Sequence, residues 1–246
     1  MKTDKFQPRF YRNWLTAKDL FKAAVSVKET DVTILSDQPI DKHFALNRIT
    51  FYRNQIEDYI AKDRRFLRTL KPLEVELNAP FIVKKMALAA KAAGVGPMAV
   101  VAGAIAECLG RDFLRQGVKE IVIENGGDIF LKLSRPGNVA IYSGRAKLWK
   151  GLGIKVALRK EPIGICASSG TIGHSLSFGR ADSVVILAKD AFLADAVATA
   201  TCNRVQDKNS LATALEFARS VAGVFGAIII FKNNLASFGE LFEFVK

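Results

Sequence analysis

The hydrophobic pattern of this chain switches between two periods, and this feature restricts the fold more than any other. Apolar residues form short runs typical of β-strands, in residues 21–27, 31–35, 118–124, 129–133, 139–143, 153–159, 163–167, 183–187 and 227–231. They recur at helical spacing in longer segments, in residues 42–70, 79–93, 97–116, 192–203 and 210–222. Because these strands and helices do not follow regular β–α–β order, we expect an α+β fold, a single layered domain of mixed strands and helices.

The 246 residues contain no internal repeat and no low-complexity linker. We therefore expect one domain over residues 1–246, with an N-terminal hairpin and helix in residues 1–80 and a ligand-binding core in residues 81–246. No apolar run approaches the roughly 18–20 residues that cross a bilayer. Residues 1–14 have no apolar stretch between their charges, unlike a secretory signal. These features predict a cytoplasmic protein without a membrane partner.

Positive charge is concentrated in one part of the chain. The formal net charge is +12, and residues 129–160 contain eight basic side chains and no acidic one. Such a segment attracts phosphate groups, either of a nucleotide or of nucleic acid. Only Trp149 interrupts the basic residues 145–160 as an aromatic side chain, which is little for stacking bases, so the sequence argues against a nucleic-acid binder.

One charged residue stands in an otherwise small and apolar helical segment. Asp195 lies within LADAVATA, and Thr199 follows four residues later on the same helix face. A carboxylate and a hydroxyl are hard oxygen donors of the kind that Mg²⁺ prefers. The pair predicts a magnesium site; the alternative is that Asp195 caps or pairs within its helix and Thr199 only packs.

Ten of the 18 glycines lie between residues 126 and 179, so we expect the site in this stretch. The paired glycines of the segment Asn125, Gly126, Gly127 and Asp128 allow positive φ and offer successive amides to an anion. Asn125 or Asp128 then suits a ribose or supports a metal ion. A plain hairpin turn explains the same four residues.

A third polar group follows a predicted strand in residues 163–167. Ser168, Ser169 and Gly170 place two hydroxyls and free amides at one sheet edge, and His174 follows closely. A serine triad with His174 and either Asp182 or Asp195 lacks the G-x-S-x-G elbow. We therefore interpret Ser168, Ser169 and Gly170 as a ligand-binding group and His174 as a candidate functional residue; the alternative is that His174 is structural, as a lone histidine more often is.

In their order along the chain, these motifs resemble the ApbE-like superfamily, whose enzymes are FAD:protein FMN transferases. Five segments of this sequence are similar to the family's motifs: GAIA at residues 103–106, ENGGD at 124–128, ASSG at 167–170, His174, and DAVAT at 195–199. The resemblance covers residues 99–203 and indicates a short, divergent branch.

The resemblance implies a T-fold-related architecture and a reaction that attaches FMN to a protein threonine with release of AMP. It implies FAD and Mg²⁺ as cofactors, with the metal held by Asp195, Thr199 and a backbone carbonyl near Ala104, and His174 as the proton acceptor. The implied partners are a flavin nucleotide and an acceptor protein, and the sequence permits a homodimer.

This chain departs from the family pattern in two places. Glu107 stands where the family has a lysine, and the loop after His174 lacks the family's aspartate and proline. These departures favour the alternative of a non-catalytic protein that binds a flavin or phosphate, or serves as a scaffold.

Overall fold

The computed structural model describes residues 20–144, 146–170 and 178–245. The strands in these ranges are β1 Phe21–Val27, β2 Thr30–Ser36, β3 Ile121–Asn125, β4 Asp128–Lys132, β5 Gly137–Ala140, β6 Gly153–Val156, β7 Ile163–Ser168, β8 Ser183–Ala188, β9 Val224–Phe231, β10 Asn234–Gly239 and β11 Phe242–Val245. Eight of them form an antiparallel sheet in the order β1-β2-β3-β4-β7-β8-β9-β10, and the other three form a small antiparallel sheet in the order β11-β6-β5.

The helices of the described residues are α1 Lys42–Lys62, α2 Arg65–Arg68, α3 Phe81–Ala93, α4 Val101–Arg115, α5 Ala191–Arg204 and α6 Ser210–Ser220. They pack against one face of the large sheet, and the small sheet covers the other face. The observed architecture is therefore the predicted α+β fold, with layers of helices, large sheet and small sheet.

The burial of the central strands explains why their sequences are almost continuously apolar. In β8, Val184 and Ile186 belong to the core on the helical side, whereas Val185 and Leu187 belong to the core beneath the small sheet. Successive side chains of a strand point to opposite faces, so both sets must be apolar when both faces are covered. Along a single strand, residues of the core on the helical side thus alternate with residues of the core beneath the small sheet.

The helix predicted over residues 42–70 is interrupted. Asp63 adopts an extended conformation with φ −132°, and its amide donates to the Tyr59 carbonyl. The Asp63 carboxylate accepts from the Arg65 amide at 3.0 Å, and α2 starts there. The extended backbone of Asp63 thus ends one helix, and the hydrogen bond that its carboxylate accepts from the Arg65 amide begins the next, which the spacing of apolar residues does not reveal.

The C-terminal part contains two strands that the hydrophobic pattern does not predict. The predicted strand at residues 227–231 is longer in the structure, where β9 covers Val224–Phe231, and β10 and β11 follow it. Residues of β10 are half-buried and include Asn234 and Ser237. Apolar and polar residues alternate only weakly in this segment, so the sequence pattern does not indicate the edge strand β10. The turn between β9 and β10 sets the register of their pairing.

The described residues contain no single helix that is both long and apolar enough to cross a membrane. Within the same described ranges, α3 together with residues 97–115 reaches the required length and composition, and this pair is bent by 103°.

Candidate functional site

The candidate site lies at one edge of the large sheet, where three of the motifs found in the sequence come together. Strand β4 is antiparallel to both of its neighbours, β3 and β7. It therefore begins at the same edge at which β3 and β7 end. The residue 125–128 turn, which joins β3 to β4, is thus brought beside the Ser168 end of β7.

The turn of residues 125–128 is a two-residue hairpin whose conformation requires glycine. Gly126 has φ 71° and Gly127 has φ 103°. Positive φ at both central positions matches the right-handed twist of the flanking strands and strongly disfavours other residues. The Gly127 amide donates to Oε1 of Glu124 at 2.9 Å. One of the two amides predicted to face an anion is therefore already bound by a carboxylate of the protein.

Asn125 and Asp195 connect this turn to the two central helices. The Asn125 side-chain amide donates to the Ala102 carbonyl at 3.0 Å. The next residue of α4, Gly103, donates its amide to Oδ2 of Asp195 at 2.9 Å. The residue 125–128 turn therefore lies beside the start of α4, which in turn lies beside the second turn of α5, where Asp195 stands.

Asp128 connects the turn to β7. Its Oδ1 accepts from the Ala167 amide at 3.3 Å, and the side chain is 6% exposed. A methyl group built on Gly127 would lie 3.9 Å from the Cβ of Ala167. The turn therefore lies close to the end of β7, with room for little more than a methyl group between them.

Asp128 and Asp195 are two buried carboxylates that repel each other. Burial raises the pKa of Asp195 well above its usual value, and the negative charge of Asp128 raises it further, whereas the Gly103 hydrogen bond lowers it. Burial likewise raises the pKa of Asp128, against hydrogen bonds from Cys166 and Ala167 that lower it. In residues 20–144, 146–170 and 178–245, neither carboxylate forms an ion pair with a basic side chain.

Cys166 lies in the same buried environment. Its Sγ is 3.5 Å from the Ala191 carbonyl oxygen. Burial raises the pKa of the Cys166 thiol, and the charges of Asp128 and Asp195 raise it further. Cys166 is therefore held as a neutral thiol, which is a hydrogen-bond donor and not a thiolate ligand.

The remaining residues of the predicted site have the following places. Thr199 lies one turn after Asp195 on α5 and is 7% exposed, and Ala104 follows Gly103 in α4 and is fully buried. Ser168 ends β7, and Ser169 follows it. The Gly170 amide donates to the Ala181 carbonyl at 2.9 Å, so the prediction that it is free is wrong. His174 lies outside the described residues, so its role as proton acceptor stays a prediction.

The donor set fits a hard cation. Among the described residues there is no group of three or more His, Cys, Asp and Glu side chains that could hold a metal ion. Asp195 and Asp128 nevertheless place two carboxyl groups together in a buried region, and Thr199 lies one helical turn after Asp195. Mg²⁺ is typically bound by one or two carboxylates and completes its coordination with water or phosphate oxygens. A divalent cation would compensate the charge that no described basic side chain balances.

Several residues that shape this site were missed by the sequence analysis. Glu124 binds the turn, the Ala102 carbonyl and Gly103 amide bind Asn125 and Asp195, and Cys166 hydrogen-bonds to Asp128. Backbone groups carry no signal in a sequence. Glu107 did carry one, because it is a charge within a small apolar helix, which is the signal that identified Asp195.

Comparisons with known proteins give one family. The family model described as "AbpE bacteria" matches residues 12–223. A UPF0280 protein of Methanocella arvoryzae is 39% identical over 224 residues, which is 91% of each chain. A UPF0280 protein of Methanocaldococcus jannaschii is 40% identical over 233 residues, covering 92% of this chain and 93% of the relative.

Solved structures with the same fold share little sequence with this chain. The flavin transferase ApbE from Vibrio cholerae superposes with a TM-score of 0.61 at 14% identity, over 89% of this chain and 96% of that one. The apo form of the flavinyl transferase ApbE from Pseudomonas stutzeri gives a TM-score of 0.57 at 11% identity, over 89% and 94% of the two chains.

Proposed function

Since the chain belongs to the family described as AbpE bacteria and has the fold of ApbE flavin transferases, we propose that it is a magnesium-dependent flavin transferase. Its substrate is FAD or a related nucleotide, and its product is FMN attached to a threonine of an acceptor protein. The relatives and solved structures support the family and the fold, and the site residues support the chemistry.

One observation carries the proposal: two buried carboxylates lie together without a described basic partner. A negative charge is costly in a buried environment unless a counter-charge is present. Asp195 and Asp128 nevertheless lie beside a glycine turn and the end of β7, where Ser168 and Ser169 offer hydroxyl groups to a phosphate-bearing ligand. Structural hydrogen bonds explain each carboxylate singly, Asp195 with Gly103 and Asp128 with Ala167, but they do not explain why two buried carboxyl groups lie side by side.

We assign the contacts with the cation and with the nucleotide to different groups of residues. Asp195 and Thr199, with Asp128 and a backbone carbonyl near Ala104, hold the cation. Ser168, Ser169 and Gly170 contact the diphosphate at the end of β7, and Asn125, Gly126, Gly127 and Asp128 contact the nucleotide from the β3–β4 turn. Bound Mg²⁺ supplies positive charge that stabilises the charge on the diphosphate during phosphoryl transfer.

The proposed reaction transfers the FMN phosphoryl group from the diphosphate of FAD to the threonine oxygen. The threonine hydroxyl oxygen attacks the phosphorus on the FMN side of the diphosphate and forms a P–O bond. The bond from that phosphorus to the bridging oxygen breaks, and AMP leaves with the bridging oxygen and its electron pair. His174 accepts the hydroxyl proton, a role that suits an imidazole because its pKa is near neutrality.

The proposal is tested by measuring AMP release. The purified protein is incubated with FAD, Mg²⁺ and threonine-containing acceptor proteins, and AMP is quantified by chromatography while flavin fluorescence is followed on the acceptor band. We expect AMP and labelled acceptor in equal amounts, and a loss of at least about 100-fold in rate for Asp195→Asn, because a metal contribution of several kcal/mol is removed.

Thr201→Val is the matched control for this experiment, because Thr201 lies on the same helix two residues beyond Thr199 and is fully buried. It should release AMP at the wild-type rate. Binding of FAD without AMP release would contradict the transferase and support the non-catalytic flavin-binding alternative. Absence of FAD binding, with or without Mg²⁺, would contradict both.

A further inference from the structure

We propose that Glu107 is a positioning residue for Asp195: it fixes the first turn of α5 against α4, so that the Asp195 carboxylate reaches the residue 125–128 turn. Glu107 does not touch the proposed substrate. Its effect on metal binding rests on the proposed function, whereas its effect on the position of Asp195 does not.

Near its amino-terminal end, each of the helices α4 and α5 donates a backbone amide to a carboxylate of the other helix. Gly103, in the first turn of α4, donates its amide to Asp195 of α5 at 2.9 Å. Ala191, the first residue of α5, donates its amide to Oε2 of Glu107 of α4 at 2.7 Å. First-turn amides have no acceptor within their own helix. Each helix therefore satisfies an amide of the other, and the bonded residues are four apart on both helices.

Because of this spacing, the geometry of the Asp195–Gly103 hydrogen bond depends on the Glu107–Ala191 hydrogen bond. Residues four apart on a helix lie on the same face, one turn from each other. When Glu107 holds Ala191, the next turn of α5 places Asp195 against Gly103. A rotation or slide of α5 that breaks the Ala191 bond also moves Asp195 along α4.

The backbone around Ala191 leaves few other positions for α5. A methyl group built on Gly103 would lie 2.4 Å from the Ala191 carbonyl oxygen, and one on Gly164 would lie 2.4 Å from the Ala191 Cα. Helix α5 is therefore packed backbone to backbone against α4 on one side and β7 on the other. Such packing fixes the distance between the elements, while the directional bond to Glu107 fixes the rotation of α5.

The environment of Glu107 is that of a buried anchor. The side chain is 1% exposed, and its second oxygen, Oε1, accepts from Nε of Arg111 at 2.7 Å. The positive end of the α5 dipole also favours a carboxylate at this place. Since Glu107 occupies the amino-terminal end of α5, a ligand phosphate cannot bind the Ala191 amide.

Hydrogen exchange of the Gly103 amide tests the inference without any metal or substrate. In Glu107→Ala, we expect this amide to exchange at least about tenfold faster than in the wild type, as expected on loss of a charge-assisted hydrogen bond. Glu107→Gln keeps an oxygen acceptor for Ala191, and should restore slow exchange to within about threefold. Should Glu107→Ala not fold, Glu107→Asp replaces it, because it keeps the charge but is one methylene too short to reach.

Asp112→Asn is the matched control, because Asp112 is another buried carboxylate on α4. It binds Nε of Arg48 at 2.6 Å and the Tyr52 hydroxyl at 2.8 Å, on the side facing α1. This variant should leave Gly103 exchange unchanged relative to core amides of β3. Unchanged Gly103 exchange in Glu107→Ala, or equal acceleration in Asp112→Asn, would overturn the positioning role.

A second measurement, binding of Mn²⁺ followed by electron paramagnetic resonance, connects the position of Asp195 to the metal. The Kd should rise at least about tenfold in Glu107→Ala and stay within about threefold in Asp112→Asn. Wild-type affinity in Glu107→Ala would count against the inference. A wild-type protein that binds no Mn²⁺ would refute the metal part of the proposed function, and Gly103 exchange would still decide the role of Glu107.

Discussion

The Asp195 carboxylate is buried, accepts one amide hydrogen bond from Gly103 and lies near a second carboxylate, Asp128. Burial and the charge of Asp128 raise the pKa of Asp195 despite the Gly103 hydrogen bond. The metal-free protein therefore loses stability as the pH rises from the pKa of an unfolded aspartate, about 4, through the higher pKa of the folded state. Below the unfolded value this penalty is absent. A bound cation removes it at neutral and alkaline pH.

We therefore expect Asp195→Asn to melt at a higher temperature than the wild type at pH 8 in EDTA. The amide oxygen of asparagine still accepts from Gly103, and each kcal/mol of relieved repulsion raises Tm by about 2–4 °C in a chain of this size. The difference should shrink towards pH 4.5. Mg²⁺ should raise the Tm of the wild type only. A variant less stable than the wild type at pH 8 would contradict the repulsion between the two carboxylates.

Thr199 and Thr201 give a comparison between two hydroxyls on one helix. Thr201 is fully buried, and its Oγ1 has no hydrogen-bond partner within the described part of the chain. Thr201→Val should stabilise the protein by about 1 kcal/mol, because it removes a buried hydroxyl that bonds to nothing.

Thr199→Val should instead reduce the increase in Tm that Mg²⁺ produces, because it removes a proposed ligand. Thermal unfolding with EDTA and with Mg²⁺ measures both effects. A Mg²⁺ response that is equal in the two valine variants would argue against Thr199 as a ligand.

At the scale of elements, α4 is held close to the sheet by a glycine. A methyl group built on Gly110 would lie 2.1 Å from Cδ1 of Phe130 in β4, and Phe130 is fully buried. Gly110→Ala should therefore destabilise the protein by about 1–3 kcal/mol through overpacking, despite the better helix propensity of alanine.

Phe130→Leu removes ring atoms at that contact, and the double variant should be more stable than the sum of the single changes. Urea denaturation of all four proteins gives the interaction energy. Strictly additive changes would show that Gly110 and Phe130 do not set the distance between α4 and β4.

Much of the element content could be predicted from the sequence because it depends on local periodicity. The hairpin of β1 and β2 and the helices α3 to α6 correspond to the segments whose apolar spacing predicted them. Asp63 breaks the first long helix through a side-chain hydrogen bond, and β10 forms by pairing with β9, so neither depends on periodicity.

At the scale of the whole molecule, the site could be predicted only in its parts. Asp195 and Asp128 were identified as chemically notable residues, but they are 67 positions apart in the chain. Their proximity depends on the order of strands and on the close packing of α5 against Gly103 and Gly164. The carboxylate that fixes α5, Glu107, was seen only as a departure from a family pattern, and nothing in the sequence pairs it with the Ala191 amide.

The most direct test of the central claim is the anomalous scattering of Mn²⁺ in crystals grown with the ion, since the claim is that the buried carboxylates form a cation site. We expect a peak about 2.0–2.2 Å from an oxygen of Asp195, beside Asp128, in the wild type, and no such peak in Asp195→Asn. Peaks found only at exposed carboxylates, with none at Asp195, would contradict it.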